Sequence, residues 1–355
     1  MTQIAVYSPT KPAYAVLLMR STAMLGLVLA PLLSLAQTPE SPARPPVYRL
    51  TARVAQVDAQ VLDKKTGRPI HELKRDDFQV YEDDVRQQIT TFSQDELPLS
   101  LVLLFDLTDS VRPVLKSLAS GALQSLEHLK PQDEVAVMTY SASAQVLQDF
   151  TTDRALAAKA IEKAGRMESW EAAFFNEGIF QATEQLMGRK DPARRRIIVW
   201  LTDDIPNFPD PETRARYGRS LGKRKLHSEK EAMAELWHSG TVVCTLLLRS
   251  RMSEEEFSLR MSKMFETKVA SMQYPPGDVF RYAQATGGQV MELTGKHAHE
   301  RLAEMFDDIR LRYVLAYHPS GNKPAGKFCS IKVKLAPELA KRKNLVVEAK
   351  QGYYR

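Results

Sequence analysis

The sequence has few of the residues and runs that announce most chemistries. Two cysteines, Cys244 and Cys329, occur in 355 residues. That is too few for a disulfide framework, and no Cys-x-x-Cys pair is present. There is no Walker loop, no G-x-G-x-x-G and no Ser/His/Asp nucleophile elbow. Phosphate cradling by a Gly-rich loop and acyl transfer of the hydrolase type therefore have no motif to rest on. Charge of one sign does not dominate: 49 Lys and Arg stand against 43 Asp and Glu, mixed along the chain, for a net +6. This balance favours solubility over a nucleic-acid footprint.

Long hydrophobic runs are also scarce. Residues 21–36 form an apolar run after Arg20 and end at Ser34-Leu35-Ala36, a small-x-small cleavage pattern. Length and flanks fit a secretory signal peptide over 1–36 rather than a membrane span. Met19 makes a tidier start than Met1. An uncleaved N-terminal anchor is the alternative. The expected location is exported: periplasm, cell surface or medium, with no membrane span left after cleavage.

What is present is an apolar stretch, Leu99 to Phe105, followed by Asp106, Thr108 and Ser110. A run this short, bounded by Pro98 and an acidic cluster, predicts a strand buried on both faces. One carboxylate and two hydroxyls at alternate positions suit a hard ion such as Mg²⁺ or Mn²⁺. The carboxyl end of a central strand is where open α/β sheets bind ligands. The competing reading is a helix N-cap at Ser110. A phosphatase-type D-x-D is excluded, because Thr108 stands where the second Asp is needed.

Around this stretch the patterning alternates. Strands are expected at 134–140, 144–150, 196–202, 241–248 and 289–293, and helices after Ser110 and at 152–163, 171–187, 228–239, 277–286 and 297–310. This rhythm predicts a parallel sheet covered on both faces. Both chain ends read differently. Strands at 54–62, 78–81 and 89–92, and again at 313–317, 329–335 and 345–350, predict a small antiparallel β unit built from the two ends together. Cys244 reads as a small buried hydrophobe. Gly287-Gly288 reads as a helix stop. His297-x-His299 has poor spacing for two ligands on one helical face. Residues 206–225 and 250–276 are long interruptions, functional or disordered. The basic run at 214–225 reads as a solvated segment or as a binding loop.

The D-x-[ST]-x-S pattern of Asp106, Thr108 and Ser110 resembles the opening of the metal-ion-dependent adhesion site in the von Willebrand factor A domain. The element order from Pro98 to Arg310 is similar to that family. Asp63 to Pro69, Leu73 to Phe78, Val80 to Asp83, Ile89 to Phe92, Arg312 to Tyr317 and Gln351 to Tyr354 resemble flanking strands of an exported VWFA-related subfamily common in Acidobacteria. The resemblance implies an α/β, doubly wound, mostly parallel sheet flanked by the small β unit. The expected divisions are 1–36 signal peptide, 37–46 linker, 47–97 N-terminal strands, 98–311 the VWFA-like domain, and 312–355 C-terminal strands packing with 47–97. It also implies a divalent cation held by Asp106, Thr108, Ser110 and Asp203. The site is incomplete: Ala172 falls where the family has a Thr, and Asp204 replaces the Gly after Asp203. The expected function is non-enzymatic binding of another protein, in adhesion or scaffolding. The partner is expected to dock through an acidic side chain at the ion or through loop 206–225. The alternatives are a metal-assisted hydrolase on the same carboxylates and a metal-free interaction domain.

Overall fold

The structure, a computed structural model, describes residues 54–94, 96–108, 110–167, 169, 174–188, 191, 194–204, 227–248, 278–293, 298–341 and 344–355. The expected signal peptide and linker, Ala172, and the loops 206–225 and 250–276 lie outside the described residues. Thr51–Arg355 forms one compact unit.

Six strands make the central sheet. They are β5 (Leu99–Asp106), β6 (Glu134–Tyr140), β7 (Ala144–Thr151), β8 (Arg195–Thr202), β9 (Val242–Leu248) and β10 (Val290–Leu293), in the order β10-β9-β8-β5-β6-β7. All neighbours run parallel except the edge strand β7, which returns antiparallel along β6. Every residue of β5 is buried. Alternate side chains serve opposite faces, as a two-sided strand requires. Leu101, Leu103 and Phe105 pack with α1 (Arg112–Ser125), α2 (Arg154–Ala164) and α6 (Ala298–Arg310). Val102 and Leu104 pack with α3 (Phe175–Met187), α4 (Glu229–Ser239) and α5 (Val279–Thr286). The sheet is therefore doubly wound, as the sequence predicts.

Local signals set the helix ends. Asp153 caps α2 by accepting from the N–H groups of Ala155 and Leu156. Ser228 and Glu231 form a reciprocal capping box at α4. Gly287 ends α5 at φ +73°, and a Cβ there would meet the backbone of Ala349 at 2.3 Å. Glycine is required at this point both for the left-handed turn and for the close approach of the C-terminal strands.

The chain ends build two four-stranded antiparallel sheets, and strands from both ends share each one. The first is ordered β13-β1-β11-β4, with β1 (Ala55–Asp63), β4 (Ile89–Gln94), β11 (Tyr313–Tyr317) and β13 (Leu345–Ala349). The second is β14-β12-β2-β3, with β2 (Phe78–Glu82), β3 (Val85–Gln87), β12 (Phe328–Leu335) and β14 (Gly352–Tyr354). A short helix, α7 (Pro337–Ala340), links β12 to β13. Val57, Ala59 and Val61 from the first sheet share a core with Phe78, Val80 and Ile331 from the second.

β3 was not legible as a strand, whereas β14 falls within Gln351 to Tyr354, a stretch that resembles a flanking strand already in the sequence. Each has three residues, and β3 turns two of its three outward. The β2–β3 connection is Asp83-Asp84, both at positive φ (48° and 65°). Positive φ at both central residues is what a tight hairpin turn of the primed type needs. The third helix begins at Phe175 instead of residue 171.

A buried ion cluster joins the β strands to the base of the central sheet. Asp58 of β1 accepts from Arg195 Nε at the start of β8 (2.7 Å) and from Arg312, next to β11. The two guanidiniums hold the Asp58 carboxyl below its ordinary range despite burial. Both cysteines are buried free thiols. Burial in β9 pushes the Cys244 thiol up to about 11, so it behaves as a hydrophobe.

Candidate metal centre at the sheet rim

Asp106 is the last residue of β5, and Asp203 directly follows the last residue of β8. β5 and β8 are neighbours. The chain leaves β5 for α1 on one face, and α4, the next helix after β8 among the described residues, lies on the other. The two carboxylates thus stand outside the carboxyl ends of adjacent strands where the winding reverses, the switch point of an open α/β sheet.

The Asp106 carboxylate is fully buried. Oδ1 accepts from the Thr108 N–H (2.9 Å), and Oδ2 accepts from Tyr140 Oη and Thr202 Oγ1 (both 2.7 Å). Two donors fill the lone pairs of Oδ2. Burial raises the Asp106 pKa above the ordinary value, and the hydrogen bonds from Thr202, Tyr140 and Thr108 only partly oppose it. Tyr140 in turn is held by Trp200, whose Nε1 donates to its hydroxyl at 2.9 Å. Burial beside Asp106 drives the Tyr140 pKa far up, so the phenol stays a donor.

Thr108 and Ser110 bring their hydroxyl oxygens within 3.1 Å of each other. The N-cap expectation for Ser110 is corrected: Val111 occupies that position, and no side chain caps α1. The Thr108 carbonyl accepts from the N–H groups of Val111 and Arg112 in a turn that precedes the helix. The Ser110 hydroxyl lies beside that of Thr108 instead.

Asp203 is buried, 7% exposed. Asp204, which stands where the resemblance expects Gly, sits at φ +57°. Asp is among the residues that tolerate this left-handed region. Its Oδ1 accepts from the Val279 N–H at the start of α5 (3.3 Å). The carboxylate thus serves a helix N-terminus, where negative charge is favoured.

Phe175 stands edge-on to Trp200, with ring centroids 5.1 Å apart. Asn176 accepts from the Tyr282 hydroxyl at 2.8 Å. One turn on, a Cβ at Gly178 would lie 2.8 Å from Cγ of the Tyr140 ring. Tyr140, Thr202, Trp200 and Gly178 were not found from the sequence. Their partners are 34 to 96 residues away, so no local spacing marks them. The available signal was the register that sets Tyr140 opposite Asp106.

The donor set is all hard oxygen, two carboxylates and two hydroxyls, and fits Mg²⁺ or Mn²⁺. Among the described residues, the group of three His, Cys, Asp or Glu side chains close enough to share an ion lies elsewhere, at Glu82, Asp83 and Cys329. Those groups already have partners: Tyr317 Oη donates to Glu82 and Lys323 Nζ to Asp83. His299 lies beside Glu300, with His297 outside the described residues.

No curated protein matches the chain. Solved structures similar to it include a von Willebrand factor type A protein from Catenulispora acidiphila (11% identity, TM-score 0.42, covering 86% of this chain and 75% of that one). The conserved hypothetical protein BatB from Bacteroides thetaiotaomicron is similar at 13% identity and TM-score 0.40, over 59% of this chain and 98% of that one. Manganese-loaded TRAP protein from Plasmodium vivax is similar at 11% identity and TM-score 0.40, over 77% and 97%. Residues 101–205, which carry β5, β6, β8 and both carboxylates of the rim, match the family model of the von Willebrand factor type A domain.

Proposed function

We propose that this chain is a non-enzymatic, exported protein-binding module that acts in adhesion or scaffolding through a divalent cation at the sheet rim. Asp106, Thr108, Ser110 and Asp203 would hold the ion. The ion would supply an electrophilic point to which an acidic side chain of a partner protein binds. The observation that carries this reading is the meeting of Asp106, Thr108 and Ser110, all oxygen donors, at the switch point beside Asp203. The domain match over residues 101–205 supports the same reading. Among the described residues no helix is long and apolar enough to cross a membrane.

Binding is favoured over hydrolysis by how Asp106 is held. Two hydroxyl donors fix Oδ2, which suits an anchoring anion better than a base that must move a proton. Calorimetric titration with Mg²⁺ and Mn²⁺ tests the reading. The wild type is expected to bind, and Asp106→Ala to lose binding. Equal binding by both proteins would place the ion elsewhere. Metal-dependent turnover of ester or phosphate substrates, lost in Asp106→Ala, would favour the hydrolase.

A further inference from the structure

The opposite end of β8 carries a second feature. A cavity of about 240 Å³ opens where Arg194, Arg195 and Arg196 begin the strand, and Lys350, Trp237 and Tyr353 complete its wall. With an eight-residue β8, it lies about 23 Å from the rim. Arg194 is paired with Glu134 (3.4 Å), and Asp58, the one carboxylate in the wall, is already shared by Arg195 and Arg312. Three cations, Arg195, Arg312 and Lys350, therefore surround one Asp58 charge. Glu348 lies near Arg312, and burial holds its carboxyl above the ordinary range. Arg196 donates to the Ser239 carbonyl, and His238 adds a further basic group to the wall.

Lys350 is the side chain this arrangement leaves unsatisfied. Its ammonium makes no hydrogen bond among the described residues, and its contact is the Tyr353 ring, 5.5 Å away. Lys350 itself is half-buried, and Arg195 Nη1 is buried without a hydrogen-bond partner. A buried donor such as Arg195 Nη1 costs free energy until an acceptor reaches it. We propose that this cavity is a binding site for a small oxyanion, phosphate or carboxylate, which the Lys350 ammonium contacts directly within the positive field of Arg195, Arg196 and Arg312. The site is independent of the metal centre and of any function at the rim.

Burial lowers the Lys350 pKa to about 8. A bound anion favours the charged amine, so affinity is present at pH 7 and is lost as pH rises well above 8. The probes are inorganic phosphate and acetate at millimolar concentration, read as the melting midpoint of the full chain. At pH 7 at least one of them is expected to raise the midpoint. The rise should disappear at pH 9.5 and in Lys350→Met, and persist in Lys350→Arg. A response to phosphate alone identifies a phosphate-type ligand, and a response to acetate alone identifies a carboxylate. No rise with either anion, or an equal rise in the wild type at pH 9.5, overturns the proposal. The pH comparison needs no variant, so a Lys350→Met protein that folds poorly does not remove the test.

Discussion

At the residue scale, the rim is governed by one buried carboxylate and the ring that holds it. Burial raises the Asp106 pKa above its unfolded value. Ionised Asp106 is therefore a cost to the fold. The stability linked to this group is fully present below the unfolded pKa and is lost as pH rises through the folded one. A cation reverses the balance, because it binds the ionised form and displaces the proton. Mn²⁺ affinity is accordingly expected to fall on acidification, starting at a higher pH than an ordinary Asp would give. Titrations across pH 4 to 8 would check this; an affinity flat down to the ordinary Asp range would contradict the role of Asp106. Gly178 acts on the same group through Tyr140. In Gly178→Ala the new methyl must push the ring that donates to Oδ2. Overpacking of this kind costs about 1–3 kcal/mol. Urea unfolding should register that loss, and calorimetry a weaker ion affinity.

At the scale of elements, the central strands were legible because they are two-sided and apolar. The run Leu99–Phe105 predicts its own burial, and each of these residues is buried in the structure. Val102→Asp would place an unpaired charge between β6 and β8, facing Trp200 and Ile179 on the α3 side. That costs several kcal/mol, against a typical domain stability of about 5–15 kcal/mol. Expression of the variant is expected to give insoluble or non-cooperatively melting protein; a sharp melt near the wild-type midpoint would refute the central placement. The short edge strand β3 escaped notice for the opposite reason. β3 exposes Val85 and Arg86 and is fixed by two aspartates in the left-handed region, a conformation that composition does not announce. The candidate site was half legible. Asp106, Thr108 and Ser110 form a spaced pattern in sequence. The side-chain donors Tyr140 and Thr202 come from neighbouring strands, and only register brings them to Asp106.

At the scale of the molecule, the two chain ends are interleaved. β11 lies between β1 and β4, and β12 lies between β2 and β14. Deleting 326–355 removes β12, β13 and β14 together. The β2–β3 hairpin then has no neighbour, and isolated hairpins are marginal in water. The core face of Val57, Val61 and Val80 loses Ile331 and Leu335 and becomes exposed. The damage reaches the α/β sheet as well. Phe328 and Tyr354 pack on Trp237 of α4 at 4.6 and 6.5 Å, and the Gln351 N–H donates to the Ala285 carbonyl of α5 (2.9 Å). The truncated chain is therefore expected to melt at a lower temperature, to bind a hydrophobic dye and to aggregate. Light scattering and thermal melts of the two lengths compare this directly. If the truncated chain melts like the full one and stays monodisperse, the end strands contribute nothing to the fold that positions Asp106 and Asp203. If the loss occurs, the strands at 54–94 and 313–354 are one cooperative unit, and the central sheet rests on it through the Asp58, Arg195 and Arg312 cluster.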